Sequence, residues 1–243
     1  MKRWPVIWIC LLGLWITGCH RGTHPAGSAK PRIGFVMKVL NNPFFIRMEE
    51  GARQAARELN VDLIVQAPDR EIDVDRQMQI IENLIETQVD ALCVTPSGWR
   101  EVVAAIAKAN QAGIPVLIVD TKVDEPTARE MHVQYATFIG SDNYLGGLLA
   151  GLYFAHKFTQ PASLAILEGI PGHETHDSRL KGFLDAIQGA PHLTVVASQP
   201  ANTERDQGYN VCQNILQSHP DIQGLFATND MMALGAVEAI AAA

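Results

Sequence analysis

Amide, carboxylate and aromatic side chains recur directly after short apolar runs in this sequence. Asn41-Asn42-Pro43-Phe44-Phe45 follows the first run, Thr95-Pro96-Ser97-Gly98-Trp99 the third, and Asp120-Thr121-Lys122 the fourth. Ser141-Asp142-Asn143 follows the fifth, Glu168 and the stretch Gly169–Arg179 the sixth, Gln199–Arg205 the seventh, and Thr228-Asn229-Asp230 the eighth. That set suits a polyhydroxylated ligand. A sugar hydroxyl is donor and acceptor at once, so Asp, Asn and Arg bind it in pairs, while the C–H face of the ring lies on an aromatic plane. Each residue also has a plainer role open to it. Asn42, Asp142 and Asn229 suit helix N-caps, and Phe44 or Phe45 alone suits a core.

Bond-breaking chemistry finds little support. No G-x-S-x-G elbow and no paired nucleophile and base is present. Gly146-Gly147-Leu148-Leu149-Ala150-Gly151 lacks both the GxGxxG spacing and the Lys-Ser/Thr of a phosphate loop. It falls inside a helical stretch, where small residues permit close packing. His173-Glu174-Thr175-His176 is not HExxH; it reads as a loop and, with Asp177, is only a weak metal candidate. No enzyme activity, cofactor or metal is expected.

The elements that must position these residues follow from hydrophobic pattern. Eight short runs rich in Val, Ile and Leu (33–37, 61–67, 89–95, 114–120, 136–140, 163–167, 193–197 and 222–227) lack polar alternation, as strands buried on both faces of a parallel sheet do. Amphipathic stretches near 43–59, 73–88, 99–112, 142–158, 175–188 and 203–218, with a last one from 230, lie between them. Strict alternation specifies an α/β fold with right-handed crossovers, in which ligands bind at the carboxyl ends of strands. The charged, Pro-containing stretch 121–135 is the longest departure from the rhythm and is expected to carry the chain from one lobe to the other.

Composition narrows the class further. Hydrophobic residues at 47% and charged residues at 19% exclude disorder. The net charge of −7 gives the wrong field for nucleic acid or an anionic membrane face. Met1-Lys2-Arg3, an apolar run over 4–16 and Thr17-Gly18-Cys19 have the layout of a secretory signal, and the run is shorter than the ~20 residues a spanning helix needs. Residues 20–31, rich in Gly, Pro, Ser and Ala, read as a tether. Cys93 and Cys212, both among apolar neighbours, read as small buried hydrophobes rather than a disulfide.

Several stretches carry a family resemblance. Asn41-Asn42-Pro43-Phe44-Phe45, the run Ala109–Val116, Gly140-Ser141-Asp142-Asn143-Tyr144-Leu145-Gly146-Gly147, Ala197-Ser198-Gln199-Pro200-Ala201 and the run Phe226–Ala236 resemble, in order, the type I periplasmic sugar-binding proteins of the ribose-binding-protein-like family. The ending Ile16-Thr17-Gly18-Cys19 resembles a lipobox, which implies a lipoprotein anchored to the membrane through Cys19. The family implies a signal over 1–18, a tether over 19–31, and two Rossmann-like lobes with parallel sheets, 32–140 and 141–243. The lobes close on a monosaccharide and deliver it to the permease of an ABC importer, with a chemoreceptor as a further candidate partner. The protein would be a periplasmic or cell-surface monomer that binds no nucleic acid.

By position, the resemblance implies a ligand set of Asn42, Phe44, Phe45, Thr95, Asp120, Ser141, Arg179 and Asn229. Asp120 would accept from two hydroxyls and Arg179 would donate to the sugar as a fork. Three departures bear on the ligand: Thr121 stands where ribose binders have Arg, Thr95 where they have Asn, and Thr203 where they have an aromatic residue. A site that has lost a planar donor and a ring is expected to favour a sugar other than ribose. Trp99 is a candidate replacement ring. The family pattern also continues for several more strand–helix units, including an Asp and a Gln that contact sugar, so the second lobe is expected to be incomplete. The last helix would then expose an apolar face (Met231, Leu234, Val237, Ala241). Such a chain is expected to bind sugar poorly or not at all, with a loosened but specific binder as the rival outcome. A nonfunctional product, a sensory ectodomain and a repressor relative remain alternatives; the N-terminal signal occupies the place where a repressor has its helix-turn-helix.

The anchor is directly testable. Mass spectrometry of the mature protein is expected to find Cys19 as an acylated N-terminus, since two or more acyl chains suffice for stable attachment. An unmodified Cys19, or cleavage elsewhere, excludes it.

Overall fold

A computed structural model describes residues 30–243; Cys19, the signal and most of the tether lie outside the described residues. Strands and helices alternate throughout. The first half runs β1 (Arg32–Val36), α1 (Pro43–Glu58), β2 (Asp62–Gln66), α2 (Val74–Glu86), β3 (Ala91–Val94), α3 (Val102–Gln111), β4 (Val116–Val119), α4 (Glu125–Glu130) and β5 (Thr137–Ile139). The second runs α5 (Asn143–Lys157), β6 (Ala162–Glu168), α6 (Glu174–Gln188), β7 (Leu193–Pro200), α7 (Arg205–Ser218), β8 (Gly224–Ala227) and α8 (Asp230–Ala242).

The strands form two parallel sheets, one ordered β2-β1-β3-β4-β5 and the other β7-β6-β8. Successive residues of a strand point to opposite faces, and β1 shows the consequence. Phe35 packs with Met37 and Phe45 on the α1 side, whereas Val36 joins Leu92, Val94 and Ile118 against Ile81 and Ile106 of α2 and α3. In the second sheet, Leu164 and Ile166 meet Phe183 and Ile187 of α6. Ala165 and Leu167 face Cys212 and Ile215 of α7 and Met232 of α8. Both faces of each sheet are thus covered, which explains why the strand sequences carry no polar alternation.

One expectation is corrected. The stretch 121–135 does not pass between lobes; it folds as α4 and returns to β5, which pairs with β4 in the first sheet. Asp124 caps α4, accepting from Thr127 N at 3.0 Å, and Pro126 lies in its first turn. Six residues are too few to show a helical period, so the charges dominate the sequence pattern. The chain crosses after Ile139, through Gly140 and Ser141, into α5, whose N-cap Asp142 accepts from Leu145 N at 2.9 Å. Gly113, in the left-handed region at φ 74°, ends α3 just before the turn into β4. Cys93 and Cys212 are free thiols, both pushed above the ordinary thiol pKa by burial. Leu234 and Val237 on the outer face of α8 are exposed.

Helix packing in the second lobe relies on glycine. A Cβ on Gly147 would stand 1.9 Å from the Arg179 carbonyl oxygen, and one on Gly182 would stand 2.1 Å from that of Tyr144. The same device joins α7 and α8, where a Cβ on Gly235 would lie 2.0 Å from the Arg205 carbonyl. Gly147 and Gly151 are therefore a packing seam of α5 against α6, and Gly147 seats the backbone of Arg179. Gly146 lies outside it, with nothing within 4 Å of its Cβ position. Gly147→Ala is expected to cost about 1–3 kcal/mol by urea unfolding, because the helices must separate. Gly146→Ala is expected to be neutral or to stabilise by up to ~1 kcal/mol through helix propensity. Equal stabilities for the two variants would show that the seam is not tight.

Candidate functional site

A cavity of about 300 Å³ lies between the two lobes at the carboxyl ends of their strands, a volume at the small end of the range for small-molecule sites. From the first lobe come Lys38, Asn42, Phe44, Phe45, Glu71 and Asp120. From the second come Thr175, His176, Arg179, Asn229 and Asp230. Six of the eight residues in the sequence-based ligand set therefore share one cavity: Asn42, Phe44, Phe45, Asp120, Arg179 and Asn229.

Local structure sets the direction of each. Asn42 caps α1, its Oδ1 accepting from Phe44 N at 2.8 Å, with Pro43 at the first helical position. Asn229 caps α8 in the same way, accepting from Met232 N at 3.0 Å. Both amides thus serve the helix through oxygen and keep nitrogen for other partners; that of Asn229 donates to the Thr203 carbonyl at 3.3 Å. Phe45 is buried and Phe44 exposed, and their rings meet edge to face at 5.1 Å. One ring anchors the turn while the other is left as a surface for stacking.

Charge is concentrated on the first-lobe wall. The Lys38 ammonium, at the end of β1, is 2% exposed and stands 3.9 Å from Glu71 and 3.7 Å from Asp120. These are ion-pair distances beyond ordinary hydrogen-bond range. Burial pushes the Glu71 carboxyl above its usual pKa; Lys38 opposes that shift, and Asp120, Glu204 and Asp230 reinforce it. Asp120 has φ 65°, a left-handed conformation that Asp tolerates better than most residues. Its Oδ2 accepts from the Thr121 hydroxyl at 3.1 Å.

Arg179 is held on two sides on the other wall. Its Nε donates to Asn143 Oδ1 at 3.0 Å and an Nη1 hydrogen to the Thr228 carbonyl at 2.9 Å. Guanidinium has five donors, so three remain. The His173–His176 stretch is not the loop expected from sequence: Glu174, Thr175 and His176 form the first turn of α6. Thr175 reaches across the lobes to place its hydroxyl 3.0 Å from that of Thr121. Burial, with Lys38 close by, lowers the His173 pKa to about 4. Among the described residues, no group of three His, Cys, Asp or Glu side chains is arranged to hold a metal ion.

The structure does not bring Thr95 and Ser141 to the cavity. Thr95 is fully buried, with its hydroxyl 4.0 Å from Met48 Sδ. Gln77 turns this segment inward, donating to the carbonyls of Met37 and Thr95 at 3.0 Å and accepting from Ser97 N at 2.8 Å. Ser141 lies exposed in the crossing before α5. Trp99 does not line the cavity either; Arg100 covers its ring at 5.2 Å. The ligand set left out Lys38, Glu71, Thr175, His176 and Asp230, of which the last three stand among the residues after strand ends and the first two were missed altogether. Lys38 had a signal, a lone charge in the apolar run 35–40, and Glu71 follows the one early strand end left out of the inventory.

The comparisons with known proteins agree with this architecture. The family described as "Periplasmic binding protein domain" matches residues 33–243. The ribose import binding protein of Bacillus subtilis is 36% identical over 208 residues, covering 86% of this chain and 65% of that protein. The Escherichia coli K12 protein of the same name is 37% identical over 212 residues, covering 87% of this chain and 68% of its own. The chain thus spans about two thirds of the length of these curated relatives. A crystal structure of an ABC transporter periplasmic solute binding protein from Actinobacillus succinogenes, with bound D-allose, superposes with a TM-score of 0.83. It is 39% identical and the match covers 88% of this chain and 74% of that one. A solute binding protein from Bacillus halodurans with bound myo-inositol gives a TM-score of 0.78 at 30% identity, covering 89% and 73%. With its fold, its inter-lobe cavity and a family match over nearly all the described residues, this chain belongs to the periplasmic binding protein family.

Proposed function

We propose that this chain is the substrate-binding component of an ABC sugar importer, exported, tethered through Cys19, and closing its two lobes on one monosaccharide or a close polyol. The observation that carries the reading is the convergence of Asp120 and Arg179, from different lobes, on one cavity that also holds Asn42, Asn229 and an exposed Phe44 ring. Three carboxylates (Glu71, Asp120, Asp230) face two cations (Lys38, Arg179) there. With three carboxylates against two cations on its walls, the cavity favours an uncharged ligand over an acidic one. Hydroxyls use such a wall from both sides, donating to the carboxylates and accepting from lysine and arginine. Relatives named for ribose and allose, and solved structures with bound allose and myo-inositol, support the ligand class. The permease is the partner the reading implies, and the protein itself performs no chemistry.

Two outcomes test it by calorimetry against a sugar panel, on the chain completed with the C-terminal segment of a full-length relative. Asp120→Ala and Arg179→Ala are each expected to weaken binding by about 1.5–3 kcal/mol, because each strands a charged hydrogen-bonding partner. Wild-type affinity in both variants would dismiss the site. Another sugar or polyol is expected to outrank D-ribose, because Thr121 supplies a short hydroxyl where ribose binders have an arginine. Ribose at the head of the panel would refute that preference.

A further inference from the structure

The second-lobe wall holds a polar group that the sugar-binding reading leaves unused. His176 is 5% exposed and lines the cavity beside Thr175 and Arg179. Its Nδ1 lies 3.3 Å from the Thr228 hydroxyl, while Nε2 is buried without a hydrogen-bond partner. Such an atom is costly to bury unless something satisfies it. The fold nevertheless makes room for the ring: a Cβ on Gly169 would stand 2.2 Å from His176 Cγ and 2.4 Å from Nδ1. Any side chain at 169 would displace the imidazole from the wall.

The protonation state follows from the surroundings. Burial first, then the positive charges of Lys38 and Arg179 and the neighbouring His173, hold the imidazole well below its usual pKa, so it is neutral. A neutral imidazole has one N–H and one lone pair. The Thr228 hydroxyl is itself buried and Thr228 does not line the cavity. If Nδ1 carried the hydrogen, the Thr228 hydroxyl hydrogen would be left without an acceptor away from the cavity. If Nδ1 carries the lone pair, it accepts from Thr228, and the unmet donor becomes the buried Nε2–H. The second arrangement leaves the unmet donor on a residue that lines the cavity, on the ring nitrogen not engaged by Thr228.

Resting on the reading of this cavity as a sugar site, we propose that His176 Nε2–H donates a hydrogen bond to one oxygen of the bound sugar and selects for ligands with an acceptor there. The residue is a specificity determinant, separate from the Asp120 and Arg179 pair. A site built around such a donor rejects an analogue that lacks the oxygen, because the buried N–H then stays unpaired.

The test is a cycle between protein and ligand. The chain completed in the same way and its His176→Leu and His176→Gln variants are titrated by calorimetry with D-ribose, D-allose and myo-inositol, then with monodeoxy analogues of whichever binds tightest. His176→Leu is expected to weaken the parent sugar by about tenfold. The melting temperature without sugar should be unchanged or higher, since an unsatisfied buried nitrogen has gone. His176→Gln, which keeps an N–H, should recover part of the affinity. One deoxy analogue should lose about tenfold with the wild type and nothing further with His176→Leu. Equal losses on every analogue, or unchanged affinity in His176→Leu, would overturn this inference and leave the sugar site standing. Failure of the wild type to bind any of the three sugars would overturn both. Should His176→Leu not fold, nitrogen NMR of the wild-type imidazole decides: the Nε2 resonance is expected to move on saturation with sugar, and an unmoved resonance refutes the contact.

Discussion

A parallel strand covered on both faces has only its ends free, and the cavity depends on that constraint. In both sheets all pairings are parallel, so the carboxyl ends of each sheet lie on one side. The loops after β1, β2 and β4 of one lobe meet the first turns of α6 and α8 of the other. Polar residues can collect at these ends because the flanking helices start there, with backbone N–H groups that need partners. Asn42 and Asn229 answer that need with oxygen, which leaves the Asn42 nitrogen for other partners while that of Asn229 donates to the Thr203 carbonyl.

Charge organises the interior of the same site. Lys38 is buried to 2% exposure and faces two carboxylates that come from different loops of the first lobe. A buried ammonium without them would be prohibitive, and the carboxylates without the lysine would repel each other. Arg179 is fixed independently, by Asn143 and the Thr228 carbonyl, while its backbone is seated by Gly147. The charged groups on both walls are thus held by protein contacts, and a ligand need not order them, which lowers the entropic cost of binding.

Thr121, the departure from the ribose-binder pattern, has a physical counterpart in the contact between lobes. Its hydroxyl donates to Asp120, so the Thr175 hydroxyl is left to donate to Thr121. Both threonines are buried. A longer side chain at 121 would have to displace Thr175 from this junction, so the substitution sets how α6 approaches the first lobe as well as what faces the ligand. Arg70 and Glu204 add a second, exposed ion pair between the lobes at 3.8 Å, whose contribution is small by virtue of its exposure.

Local pattern alone determined a great deal of this protein. The eight apolar runs became eight strands, the Asn and Asp residues before helical stretches became N-caps, and the glycines at 147 and 151 became a helix seam. These features are written in periods of two to seven residues, which a single sequence displays. Six of the eight anticipated ligand residues met in one cavity because strand ends in a parallel fold must converge. What the tertiary structure alone decided is non-local. Lys38, Glu71 and Asp120 are far apart in sequence, and nothing local pairs a lysine in an apolar run with either carboxylate. Thr95 looked equivalent to its neighbours until Gln77, from another helix, turned its segment into the core. The short α4 carried too little period to be seen, and its place in the first lobe was settled by the pairing of β4 with β5. The His176 ring needs Gly169 and Thr228 beside it, residues that meet only when β6, α6 and β8 pack. Sequence spacing encodes which element a residue belongs to; which residues face each other across elements is decided by packing and charge, and those act through space rather than along the chain.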